Sequence, residues 1–157
     1  MVRNRTTSVK GEGVDREVAT NVLFSAWLAF RAVNELVDRA VADAGLTADE
    51  FAIYSLLVSG PITPTELATW MAAPPTTISS TVKRLESRGH LRREPNPDDG
   101  RSYRIGLTTA GRRAHRDAGE RFLPVLDQVE AALGRNEAAV MRSLDALRSA
   151  VDLTPTT

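Results

Sequence analysis

From Asp15 onward, apolar residues recur at helical spacing: Val18, Val22, Ala26, Phe30, Val33, Val37 and Val41, with Leu23 and Trp27 alongside. The pattern predicts one helix of roughly seven or eight turns at 3.6 residues per turn, opened by Asp15 as N-cap and stopped by Gly45. A helix of that length is too long for one small domain to bury alone. Residues 1–14 before it are polar and carry Gly11 and Gly13, which predicts a loose tail. At the other end, a helix from about Glu137 places Val140, Leu144, Leu147 and Val151 at spacings of four, three and four. That seam wants a partner helix.

Between these two helices the periods are shorter and the punctuation is sharper. Thr47-Ala-Asp-Glu50 and Thr63-Pro-Thr-Glu66 are capping boxes, the second with proline at the first helical position, where its missing N–H costs nothing. They open helices through Phe51, Tyr54, Leu57 and Val58 and through Leu67, Ala68, Trp70 and Met71, separated by Ser59-Gly60-Pro61. After Ala72-Ala-Pro-Pro75 a third short helix turns Ile78, Thr81, Val82 and Leu85 inward, carries Arg84 and Arg88 in its closing turns and ends at Gly89. Its opposite face holds Thr76, Ser80, Lys83 and Ser87, flanked by Ser79 and Arg84. Two short helices joined by a brief turn, the second exposing small donors and cations, form the helix-turn-helix pattern, whose second helix lies in the major groove of DNA.

Leu91 to Glu94 then predicts a strand, Pro95-Asn-Pro-Asp-Asp-Gly100 a turn, and Ser102 to Leu107 a return strand with Tyr103, Ile105 and Leu107 alternating. This hairpin puts Arg101 at the tip of a wing. Thr108 caps a long helix to about Leu133, which Pro124 should kink. The fold class is therefore mainly α with a small β-hairpin wing: a winged helix-turn-helix lobe (47–116) on a helical arm (15–45 and 120–153), all in a single domain over 15–157.

Composition narrows the chemistry. With no cysteine, thiol redox sensing, cysteine nucleophiles and cysteine-ligated zinc are excluded. His90 and His115 have no second histidine at turn spacing, so no metal site is expected and they are read as surface or cap residues. No apolar run approaches the ~20 residues that span a bilayer, and the first ten residues lack the apolar core of a signal peptide, so the cytoplasm is the expected compartment. Formal net charge is zero, yet it is not evenly spread: Pro61 to Arg116 holds ten Lys/Arg against five acids, a net +5, leaving −5 on the rest. A basic middle between acidic flanks suits a DNA-binding module carried on solvated arms.

These elements resemble the MarR family of winged helix-turn-helix regulators. The residues that carry the likeness are Gly45-Leu-Thr47, Thr63 to Met71, Ile78 to Gly89, and Asp99-x-Arg101 followed by Leu107-Thr108 and Gly111. The resemblance implies a homodimer whose first and last helices interlock as a dimerisation arm, consistent with the apolar stripes that no third layer covers. Two-fold symmetry then implies an inverted repeat in double-stranded DNA with half-sites ~34–36 Å apart. It also implies regulation, commonly repression, relieved by a small aromatic or phenolic effector between arm and lobe. Trp27, Phe30, Arg31 and Tyr54 are the candidate lining, although the helical spacing of Trp27, Phe30 and Tyr54 better suits core or dimer packing. Family members often carry arginine or a larger polar residue where this chain has Ser80, so its operator cannot be inherited.

The expected DNA contacts are Thr76, Thr77, Ser79, Ser80, Lys83 and Arg84 on the second helix, and Arg101, oriented by Asp99, in the minor groove, with Arg104 on phosphate. Arg92 and Arg112 are further phosphate candidates. No GxSxG, HExxH, P-loop or dinucleotide fingerprint is present, so no catalytic residue and no cofactor is expected. The alternative to an operator-binding regulator is a winged helix whose basic face meets an acidic protein.

Overall fold

Thr47, Thr63 and Thr108 each open a helix of the lobe by accepting from an N–H of its first turn. In the computed structural model, which describes residues 5–9 and 16–155, α2 (Ala48–Val58) and α3 (Pro64–Trp70) both start with complete capping boxes. Thr47 Oγ1 accepts from the Glu50 N–H at 3.2 Å, and Thr63 Oγ1 from the Glu66 N–H at 3.2 Å. A short turn leads into α4 (Pro75–Ser87), with Pro75 at its first position. Strands β3 (Leu91–Pro95) and β4 (Tyr103–Leu107) pair antiparallel, Leu91 opposite Leu107 and Pro95 opposite Tyr103. Ile62 adds a bridge to Ile105 on the far side of β4, which ties the α2–α3 connection to the wing.

The core is the meeting point of these short elements. Ile53, Tyr54 and Leu57 from α2, Leu67 from α3, Ile78, Val82 and Leu85 from α4, and Leu91, Ile105 and Leu107 from the hairpin are all buried. Val58, grouped with Phe51, Tyr54 and Leu57 in the sequence pattern, is exposed, as is Trp70 at the end of α3. Helix α5 (Thr109–Leu133), capped by Thr108, runs on through Pro124, and α6 (Glu137–Asp152) follows.

The arm begins later than its periodicity suggests. Helix α1 spans Val22–Val41, with Asn21 as N-cap accepting from the Phe24 N–H at 3.0 Å. Upstream, Arg16–Thr20 (β2) is extended and pairs antiparallel with Arg5–Val9 (β1), where the pattern predicted helix and tail respectively. Both stretches are rich in threonine and valine, which favour a pleated backbone. Asp15, the expected cap, and residues 10–14 of the expected tail lie outside the described residues. Along α1, Val22, Leu23, Trp27, Phe30 and Val33 are exposed, and along α6 so are Met141, Leu144 and Val151.

Candidate nucleic-acid interface

The inward face of α4 dictates what its outward face offers. With Ile78, Val82 and Leu85 in the core, Thr76, Thr77, Ser79, Ser80, Lys83 and Ser87 are all exposed. Ser80 Oγ donates to the Thr77 carbonyl at 2.8 Å, and Ser87 Oγ to the Lys83 carbonyl at 2.9 Å. Lys83 makes no ion pair among the described residues.

The wing tip is laced by its own polar side chains. Asn96 Oδ1 accepts from the Asp98 N–H at 3.2 Å and Asn96 Nδ2 donates to Ser102 Oγ at 2.7 Å. Asp99 Oδ1 accepts from the backbone N–H of Arg101 at 3.0 Å. Asp99 therefore fixes the backbone that presents Arg101 and leaves the guanidinium exposed, with no ion pair among the described residues. The other hairpin arginines are engaged. Arg104 pairs with Asp98, and Arg92 with Glu94. Arg93 makes two hydrogen bonds to Glu86, at 2.8 and 3.0 Å, while lying 4.4 Å over the Tyr103 ring, and so joins α4 to the wing.

Arg84, expected on phosphate, pairs instead with a carboxylate of its own lobe while staying open to solvent. Its guanidinium pairs with Glu50, as does that of Arg88, whose Nη1 lies 2.9 Å from both carboxylate oxygens and whose Nη2 donates to the Gly45 carbonyl at 2.8 Å. Glu50 is only 1% exposed. Burial by itself would raise its pKa, but the Arg88 hydrogen bond, the Thr47 N–H and the charges of Arg88 and Arg84 together outweigh it and hold the carboxyl below the ordinary glutamate value. A lowered carboxyl stabilises the fold above the ordinary value of about 4.3, and that contribution is lost as pH falls through the lower folded value. Hence Glu50→Gln is expected to lower stability by about 2 kcal/mol at pH 7. The difference from the parent chain in thermal melts should close as the pH drops below 4; a gap that persists in acid would assign it to packing.

The four candidate effector residues do not converge. Phe30 lines a cleft of about 500 Å³ with Val33, Phe51, Trp70, Met71 and Phe122, and also a neighbouring cleft of about 530 Å³ bounded by Asp38, Thr77 and Arg84. Trp27 instead stacks on Phe24, with ring centroids 5.9 Å apart, and Arg31 is exposed; neither borders these clefts. Tyr54 is fully buried because α2 turns it into the core, where its hydroxyl meets His90 Nδ1 at 2.7 Å. Burial, followed by the nearby Glu50 charge, pushes its phenol up to about 12. The two histidines are more enclosed than expected: His90 holds Tyr54, while His115 stacks on Phe51 and meets Ser55 Oγ at 3.1 Å, with burial lowering its pKa. Among the described residues no group of three His, Asp or Glu side chains is placed to hold a metal, and no helix is long and apolar enough to cross a membrane.

A helix-turn-helix with an exposed row of hydroxyls and one lysine on its second helix, followed by a hairpin with an exposed arginine at its tip, defines a winged helix-turn-helix protein. Residues 46–103 match the MarR family. The structure superposes on the M. tuberculosis transcriptional regulator MOSR, solved in complex with DNA, at 26% identity and a TM-score of 0.74, covering 85% of this chain and 97% of that one. The transcriptional repressor CouR, solved on a 23-mer DNA duplex, matches at 27% identity and 0.72, covering 82% and 92%. The MarR protein of E. coli shares the fold at 22% identity and 0.66, over 80% and 93%. Over residues 46–103 and in its fold the chain is similar to the MarR family of transcriptional regulators. No curated protein matches its sequence. The family and these neighbours are regulators rather than enzymes.

Proposed function

We propose that this chain is a homodimeric repressor that reads an inverted repeat in double-stranded DNA, each subunit placing α4 in the major groove and Arg101 in the flanking minor groove. The observation that carries this reading is the wing tip: four turn residues hold its backbone while the Arg101 guanidinium, alone among the hairpin arginines, has no carboxylate partner among the described residues. Narrow minor grooves attract such a side chain. Thr76, Thr77, Ser79, Ser80 and Lys83 are the proposed base and phosphate contacts from α4. Repression is supported by the likeness to CouR, and DNA as partner by the two relatives solved on duplexes. Exposed apolar residues on α1 and α6 supply the surface for a second copy. A small aromatic effector suits the Phe30 cleft, whose wall is largely apolar and lies against the helix-turn-helix.

Footprinting on the DNA beside the coding region tests the reading: two protected half-sites about one helical turn apart are expected. Arg101→Ala should weaken operator binding by roughly 1–3 kcal/mol, about 5- to 150-fold, measured by fluorescence anisotropy. Unchanged affinity would remove Arg101 from the interface.

A further inference from the structure

The pairing of Glu50 with Arg84 and Arg88 is more than a structural anchor. Of the three cations in the second half of α4 and at its C-cap, Lys83 is solvent-facing, while Arg84 and Arg88, one helical turn apart, both turn to a single carboxylate on α2. That carboxylate sits at the start of α2, where it also accepts from the Thr47 N–H at 3.2 Å, and the same helix start is tied to the arm because Asp38 Oδ1 accepts from the Ala48 N–H at 2.6 Å. Yet both arginine side chains remain substantially open to solvent, 54% and 38% exposed, so they are not sealed in the core. Freed of Glu50, each would be a long, flexible cation on the flank of the helix proposed to enter the groove.

We propose that Glu50 is a positioning residue that keeps Arg84 and Arg88 off the DNA backbone and thereby holds down sequence-independent binding. The inference rests on the DNA-binding reading above and deepens it. Each phosphate that a protein neutralises adds about 0.9 to the slope of log affinity against log salt on duplex DNA, whatever the sequence. Two cations withheld from phosphate therefore remove a contribution that would otherwise favour every site equally. Since a genome offers ~10⁶–10⁹ competing sites, that contribution would draw the regulator away from its operator. A buried carboxylate is costly unless paired, which makes the arrangement self-enforcing: Glu50 needs the arginines as much as it restrains them.

The test is the salt dependence of binding by the full chain to a duplex of unrelated sequence, followed from roughly 50 to 200 mM salt. Glu50→Gln, which keeps the capping geometry and removes the charge, should steepen the slope by about 0.9 for each arginine released, up to about 1.8. Arg84→Gln alone should leave the parental slope unchanged, and added to Glu50→Gln it should take back about half of the increase. A folded Glu50→Gln chain with the parental slope would overturn the proposal. So would an Arg84→Gln chain whose slope flattens by about 0.9, a result that decides the matter even if Glu50→Gln does not fold. If the parent chain shows no salt-dependent binding to any duplex, it is the DNA-binding reading itself that falls.

Discussion

Replacing Leu144 by glutamate is expected to leave a folded but monomeric chain that binds its operator at least ~100-fold more weakly. Leu144 is 53% exposed on α6, in line with Met141 and Val151. The exposed apolar residues of α1, including Trp27 at 55% and Phe30 at 61%, extend the uncovered surface. Soluble proteins rarely leave so much apolar surface open unless a partner covers it. A carboxylate in the seam would have to be desolvated there without a counter-ion, which opposes association. The loss at the operator follows from linkage: in a dimer the second half-site is bound at high effective concentration, and connecting two sites commonly gains 10²- to 10⁴-fold. Sedimentation of the variant, with circular dichroism to show that it is folded, checks the first half, and operator titration the second. A variant that stays dimeric would move the interface off α6.

The second large effect concerns stability. Gly111 lies in the first turn of α5, where its N–H donates to the capping Thr108 Oγ1 at 3.0 Å. Thr108 in turn donates from its own N–H to the His90 carbonyl at 3.0 Å and from its hydroxyl to the Gly89 carbonyl at 2.6 Å. The helix start is thereby drawn against the end of the α4–β3 connection, so closely that a Cβ on residue 111 would fall 2.2 Å from the His90 carbonyl oxygen. That neighbour is backbone, held by the Thr108 N–H, and cannot rotate aside. Gly111→Ala should therefore force α5 away from the lobe, an overpacking cost of roughly 3 kcal/mol, against which alanine recovers about 1 kcal/mol of helix propensity. The net loss of about 2 kcal/mol corresponds to a fall in Tm of roughly 4–8 °C for a chain of this size. An unchanged Tm would mean that the junction has slack the backbone distances do not suggest.

Gly111 also shows how far the chain could be read from its sequence. It belonged to the motif that pointed to the family, but the close approach that demands glycine there involves His90, twenty-one positions earlier. Local signals were legible throughout: the capping boxes at Thr47 and Thr63, the buried stripe of α4, the turn residues of the wing and the cap at Thr108 all act within four residues of themselves. The bond from the Arg101 N–H to Asp99 is local too, because an aspartate reaches its own backbone two residues on.

What escaped was non-local. Glu50 was fully accounted for as the last member of a capping box, so nothing in the sequence asked for its two further partners, 34 and 38 positions away. Arg84 was therefore free to be placed on phosphate. Tyr54 was a candidate for an effector pocket but more readily a core residue, because aromatic residues at helical spacing suit either; its full burial in the packed lobe decides for the core. The start of the arm failed for a related reason. Val18 and Val22 continue the helical period backwards, but the strand-forming residues around Val18 found a partner strand in Arg5–Val9, and pairing across a hairpin outweighs a weak local periodicity.

The hydroxyl of Ser80 carries a consequence for what this regulator can read. Its proton is already directed to the Thr77 carbonyl, one turn back along α4. With α4 in the major groove as proposed, the oxygen in that rotamer would offer lone pairs only, so it could pair with a base edge that gives a proton, the amino group of cytosine or of adenine, and not with the acceptor edge of guanine. An arginine at the same position would prefer the reverse. Along this stretch of the recognition helix the letter being read would change from guanine to its complement, or to adenine, through one bond that never leaves the protein.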